Sequence, residues 1–129
     1  MPEGDSVARV AARLERQLVG HRITASDLRV PRFATVDLAG QVVTASLSRG
    51  KHLLLRTDAG LTLHTHLRMQ GSWTVLGPGK RLPARVADRA RVLLRLEDGR
   101  TAVALDMPVV EVLATSRESD VVGHLGRVS

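Results

Sequence analysis

The sequence contains no cysteine and no tyrosine, and only one phenylalanine and one tryptophan. Without cysteine the chain can form no disulfide, no thiolate nucleophile and no cysteine-ligated zinc site of its own. So few aromatics argue against binding single strands by stacking successive bases on aromatic platforms. Lysine is scarce too: of the 19 basic residues, only Lys51 and Lys80 are lysines. No stretch approaches the roughly 18 consecutive apolar residues of a membrane span. No apolar block with a cleavage site stands near the N-terminus, so a cytoplasmic setting is expected and no membrane partner.

What is present suits one globular domain of 129 residues, 43% of them apolar. The formal net charge is +6 and the isoelectric point about 11.3. Such an excess of cation fits a polyanionic partner, DNA or RNA first and anionic lipid second, and equally a soluble domain from an arginine-biased proteome. With stacking platforms disfavoured, phosphate contacts combined with groove or base-flipping recognition remain open.

Periodicity divides the chain into one helix and a series of strands. Val7, Val10, Ala11, Leu14 and Leu18 recur at helical spacing and predict a helix over 5–19, with Gly4 or Asp5 as N-cap and Gly20 at its end. Eight short β-prone segments follow, at 22–30, 41–48, 52–57, 60–66, 72–76, 90–97, 101–106 and 109–113. Asp58-Ala59-Gly60 and Asp98-Gly99 read as hairpin turns, Ser48-Arg49-Gly50 as a bend and Gly77-Pro78-Gly79 as a loop. Short helices are expected at 33–39 and at 116–125, the latter capped by Ser116, and a basic loop at 77–89. The fold class is therefore mainly β with flanking helices. The expected architecture is a two-layer antiparallel β-sandwich with an N-terminal amphipathic helix.

Three motifs could carry chemistry. The first is Met1-Pro2-Glu3-Gly4 directly ahead of the helix. Removal of Met1 would leave Pro2 with a free secondary amine, and the positive end of the helix dipole would disfavour its protonated form. Such an amine is a nucleophile toward a masked aldehyde carbon, and the Glu3 carboxylate beside it suits proton transfer. Proline is also common at helix starts for purely structural reasons. The second motif, Ser48-Arg49-Gly50-Lys51-His52-Leu53-Leu54-Leu55, reads as strand–turn–strand and puts a lysine at the start of an apolar strand, suited to phosphate binding or proton transfer and equally to a plain strand edge. The third runs His64-Thr65-His66-Leu67-Arg68-Met69-Gln70-Gly71-Ser72-Trp73. His64 and His66 share one strand face, but further ligands for a metal are not placed, so no metal is expected. Met69 falls on a turn, as a hydrophobic wedge or as packing.

In this order and spacing the motifs resemble the N-terminal domain of the formamidopyrimidine-DNA glycosylase/endonuclease VIII family of bacterial base-excision repair enzymes. The Met-Pro-Glu-Gly opening and residues 29–40 look like the actinobacterial endonuclease VIII branch. The resemblance implies a bifunctional glycosylase and abasic-site lyase acting on oxidised bases, pyrimidines favoured. Pro2 would attack C1′ of the damaged nucleoside, Glu3 would move protons at the sugar, and Lys51 would contact phosphate and support the reaction. His66, Arg68, Met69 and Gln70 would contact DNA, His66 at a phosphate and Met69 in the gap left by the flipped nucleotide. The implied partner is damaged double-stranded or abasic-site DNA, bound by a monomer in the cytoplasm and associated with the nucleoid.

The sequence departs from the family pattern in places. Ser6 stands where many members carry glutamate, and neither the Gln-Leu-Tyr wedge nor the arginine-phenylalanine wedge of the two branches is present. The family has a second domain, with a helix–two-turn–helix motif and usually a four-cysteine zinc finger. The expectation is that residues 1–129 form the N-terminal catalytic domain, that the second domain and its zinc lie outside this chain, and that the chain binds no cofactor. A damaged-DNA-binding module without chemistry, or a structural fragment, is the alternative.

Overall fold

The computed structural model describes residues 4–120, with side chains from residue 6 onward. Helix α1 spans Gly4–Leu18 and ends at Gly20, whose φ of 88° only glycine adopts at low cost. Eight strands follow: β1 Ile23–Leu28, β2 Val43–Arg49, β3 His52–Thr57, β4 Leu61–His66, β5 Ser72–Leu76, β6 Ala90–Leu96, β7 Thr101–Leu105 and β8 Val109–Ala114. They form two antiparallel four-stranded sheets, ordered β1-β6-β7-β5 and β2-β3-β4-β8. The two-layer sandwich with an N-terminal helix expected from periodicity is the observed fold.

One core joins both sheets and the helix. Val7, Ala11, Leu14 and Leu18 of α1 are buried with Leu53, Leu55 and Leu63 of one sheet and Val92, Leu94, Leu96, Ala102 and Ala104 of the other. Ser46 Oγ on β2 donates 2.8 Å to the Ala11 carbonyl, and Arg13 Nη2 donates 2.6 Å to the Trp73 carbonyl on β5. The helix therefore bridges the two sheets along their β2 and β5 edges. Gly20 N donates to Val43 O at 2.8 Å, at the start of β2, while Ala11 meets Ser46 in its middle. α1 thus runs antiparallel to β2, and its N-terminus lies toward the Arg49 end of that strand.

Several local expectations are corrected. The helix expected at 33–39 is a single 3-10 turn at Pro31–Phe33 followed by tight turns. Its backbone is taken by side chains instead: Leu38 N donates to Ser26 Oγ at 2.8 Å and Ala39 N to Asp37 Oδ1 at 2.9 Å. The helix expected at 116–125 begins as a 3-10 turn at Thr115–Arg117 with Ala114, not Ser116, at the cap; 121–125 lie outside the described residues. The strand–turn–strand expected over 48–55 is observed, with a tighter turn than a bend. Arg49 pairs with His52, so Gly50 and Lys51 are the two residues of a tight hairpin, and Lys51 sits in the turn ahead of β3. The 77–89 segment holds a helical turn, α2, at Ala84–Ala87.

Residues 115–120 fold back over the outer face of the second sheet. Arg56 donates to Glu118 from Nε at 2.9 Å and from Nη2 at 2.8 Å, and Thr62 Oγ1 donates to Glu118 Oε2 at 2.5 Å. This pairing holds the Glu118 carboxyl below the usual carboxylate range, the Arg56 hydrogen bonds contributing most. Among the described residues no helix is long and apolar enough to cross a membrane.

Candidate functional site

Strand register brings the sequence motifs to one end of the sandwich. His52 pairs with Arg49 on β2 and with His66 on β4, and His66 pairs with Val109 on β8. The Gly50-Lys51 turn, the end of β4, the β4–β5 turn and the β7–β8 connection are therefore neighbours. The N-terminus of α1 points to the same end. Pro2 and Glu3 lie outside the described residues; in the chain they immediately precede Gly4, the first residue of that helix.

The β4–β5 turn is tight for an identifiable reason. Gly71 N donates 2.8 Å to the Leu67 carbonyl. A Cβ on Gly71 would fall 2.7 Å from that oxygen and 2.9 Å from Met107 Sδ, so only glycine fits. Arg68 takes a φ of 52°, which turns the chain outward. As a result Met69, 63% exposed, is the one large apolar side chain left outside among the described residues. Arg68 and Gln70 flank it, both exposed. Gln70 also lines an open cleft of about 510 Å³ with Arg29, Arg91, Asp106, Met107 and Pro108. Of these, Asp106 is paired with Arg89, whose hydrogen bonds hold its carboxylate below the usual range.

The histidines form a group that sequence spacing showed only in part. His64 is buried and engaged at both ring nitrogens: Nδ1 lies 2.6 Å from Glu111 Oε1 and Nε2 lies 2.7 Å from His52 Nδ1. The His52 ring stacks on His66, with centroids 4.3 Å apart and planes 24° from parallel. Burial first, then the neighbouring His66 and His64, pushes His52 down to about 4, against an upward pull from Glu111. His66 is lowered as well, by burial first and then by Arg68, His64 and Lys51. Neither His52 nor Glu111 stands out as a site residue from sequence spacing alone. The Asp58-Ala59-Gly60 hairpin signal could have found His52, because that register sets it opposite His66. Among the described residues no group of three or more histidines or carboxylates is placed to hold a metal, and with no cysteine the chain cannot form a four-thiolate zinc site.

At this end an anionic ligand would meet Arg49, Lys51 and Arg68, all exposed, beside an apolar side chain that no core packing requires. Comparison with known proteins agrees with the fold and extends it. Solved structures similar to the chain include wild-type Lactococcus lactis Fpg (MutM) in complex with DNA containing N7-benzyl-Fapy-dG, at a TM-score of 0.76 and 21% identity over 98% of this chain and 48% of that one. MutM in complex with DNA containing carbocyclic 8-oxo-G matches at a TM-score of 0.74 and 21% identity, over 90% of this chain and 46% of that one. Among curated relatives, probable endonuclease 8 2 of Streptomyces coelicolor is 52% identical over 98% of this chain and 45% of its own length. DNA-(apurinic or apyrimidinic site) lyase Nei2 of Mycolicibacterium smegmatis is 44% identical over 98% of this chain and 47% of its own length. The chain thus spans about half the length of the curated relatives it matches. The family model for the formamidopyrimidine-DNA glycosylase N-terminal domain matches residues 1–108. Two sheets bridged by an N-terminal helix, the ordered motifs and this match agree: the chain belongs to the formamidopyrimidine-DNA glycosylase N-terminal domain family.

Proposed function

We propose that this chain is the catalytic N-terminal half of a bifunctional DNA glycosylase and abasic-site lyase that acts on oxidised bases, pyrimidines in preference to purines. The observation that carries the reading is the convergence, at one end of the sandwich, of the α1 N-terminus with Lys51, His66 and Met69. The names of the relatives support it. Chromosomal DNA in the cytoplasm is then the target.

The chemistry follows from the groups available. With Met1 removed, the Pro2 nitrogen attacks C1′ of the damaged nucleoside, and the C1′–base bond breaks with its electron pair leaving on the base. The Pro2 nitrogen passes its N–H proton to the departing base, Glu3 supplies the proton that opens the sugar ring, and the freed Pro2 lone pair completes an iminium at C1′. The iminium acidifies the C2′ hydrogen; its loss expels the 3′ phosphate, and a second elimination expels the 5′ phosphate. Lys51 holds a backbone phosphate as a compact cation, and His66 contacts another. Extruding a nucleotide costs a few kcal/mol, least at a damaged pair, and an apolar Met69 wedged into the vacated stack offsets part of it.

Borohydride trapping on a duplex with one abasic site, read by intact mass, tests this. The expected result is a covalent adduct from chains lacking Met1 and none from Pro2→Gly. Equal trapping by Pro2→Gly would refute the assignment of the nucleophile. Tight binding with no adduct from a Met1-free chain would favour a damaged-DNA-binding module without chemistry, a reading that the half-length match to the relatives keeps in view.

A further inference from the structure

The contact chain Glu111–His64–His52, buried at His64 and partly open at its two ends, stops beside His66, and the reading above makes no use of it. An ionised carboxylate only accepts hydrogen bonds, so the proton between Glu111 and His64 sits on His64 Nδ1. The protons on the rest of the chain can be arranged in two ways. With His64 neutral, its Nε2 accepts and His52 donates from Nδ1, which leaves His52 Nε2 a bare lone pair. With one proton more, His64 donates from Nε2 to His52 Nδ1, and His52 Nε2 carries a hydrogen. A phosphate oxygen also only accepts. It is repelled by the first arrangement and bonded by the second.

We propose that Glu111, His64 and His52 form a proton relay that makes His52 a second phosphate-binding histidine beside His66, converted to its donor form by one proton taken up as a phosphodiester arrives. This rests on the reading of this end of the sandwich as the DNA-contacting one. The proton enters at His52 Nε2 from solvent, the Nδ1 proton of His52 passes to His64 Nε2, and the positive charge comes to rest beside the Glu111 carboxylate. No bond between heavy atoms changes. Glu111 and His64 are positioning residues; only His52 meets the ligand.

The surroundings explain why the anion is needed. Arg49 on β2, Lys51 in the turn, His66 on β4 and Arg68 beyond it add positive charge at this end, Glu111 on β8 favours a further proton, and Glu118, on the same face at Thr62, is already paired with Arg56. The free chain keeps His52 uncharged at neutral pH, its pKa lowered to about 4 by burial first and then by His66 and His64. A bound phosphate adds a second negative charge and raises the proton affinity of the pair. By linkage, ligand and proton then strengthen each other's binding.

The test measures binding of a duplex carrying a tetrahydrofuran abasic-site analogue, which needs no chemistry at Pro2. For one linked proton, Kd should weaken by about tenfold per pH unit over the part of about pH 5–8 between the free and bound proton affinities. Calorimetry at one pH in buffers of different ionisation enthalpy should show uptake approaching one proton, a readout that requires no variant. In His52→Gln, whose amide donates at any pH, the slope and the uptake should fall to what His66 contributes alone, whereas His66→Gln should keep the share carried by His52. Glu111→Gln, which removes the compensating charge, should move the slope to lower pH. Binding by the unaltered chain that is flat with pH and takes up no proton overturns the relay and leaves the DNA reading intact. An unchanged slope in His52→Gln also overturns it. No binding at any pH overturns the DNA reading, and the relay with it.

Discussion

Replacing Gly71 by alanine tests the geometry that presents Met69. The added methyl would fall 2.7 Å from the Leu67 carbonyl oxygen, 2.9 Å from Leu67 Cα and 2.9 Å from Met107 Sδ. Ordinary contact begins at 3.4 Å, so the atoms must part by 3.4 − 2.7 = 0.7 Å at the carbonyl. Met107 Sδ is on a flexible side chain and can yield. The Leu67 carbonyl cannot, because it accepts the Gly71 N–H at 2.8 Å and closes the turn. Overpacking of this kind costs about 1–3 kcal/mol. The lost freedom of the unfolded chain returns about 0.4–1 kcal/mol. The net loss is about 1–2 kcal/mol, which for a domain of this size lowers Tm by roughly 3–10 °C. Thermal unfolding followed by circular dichroism reads it. Gly77→Ala is the control: at Gly77 a Cβ meets only Lys80 Cγ, at 3.8 Å, and φ is ordinary, so Tm should hold or rise slightly. Equal Tm values for the two variants would refute the claim that the turn is closed by backbone contact. Met107→Ala in the Gly71→Ala background should recover little, since the Leu67 contacts remain. Full recovery would move the clash from the backbone to the side chain.

Glu118→Gln should cost about 1–3 kcal/mol at neutral pH, because it leaves a half-buried Arg56 without its carboxylate. The folded Glu118 carboxyl lies below its unfolded value near 4.5, so its stabilisation is present above that pH and is lost as pH falls through the folded value. Urea unfolding should therefore show wild type and variant converging below about pH 4, and a gap that stays constant down to pH 3 would refute the pairing. Met69→Ala should leave Tm within about 0.5 kcal/mol equivalent of wild type, since the side chain is exposed. Binding of abasic duplex by the same variant should fall about tenfold if the wedge fills the vacated stack; a parallel fall in Tm would show that Met69 serves packing instead.

Much of the fold could be read from residue order because the patterns are local. The stripe Val7, Ala11, Leu14, Leu18 needs only the helical period, and all four side chains are buried. Eight β-prone segments separated by turn residues became eight strands, with shifts of one or two residues at their ends. The failures were equally local. A helix at 33–39 lost to Ser26 and Asp37, whose side chains take the backbone N–H groups that a helix would use. The strand–turn–strand over 48–55 is legible, but that Gly50 and Lys51 are the two turn residues depends on the pairing of Arg49 with His52, which is not visible in either strand alone.

For the site, the sequence by itself determined the chemical groups: a proline and a glutamate ahead of a helix, a lysine after Arg49-Gly50, and a histidine and a methionine at fixed spacing. It also determined that zinc held by cysteines is not available to this chain. Only the tertiary structure decided which groups meet. His52, His64 and Glu111 come from three strands, and their chain of contacts exists because antiparallel register sets His52 against His66 and His64 against Glu111 on one sheet face. Side-chain period tells which face a residue takes; it cannot tell which residue lies across from it. That depends on strand order and register, set by the burial of Leu53, Leu55 and Leu63 against α1 and the opposite sheet, and burial of this kind is a property of the whole core rather than of any segment.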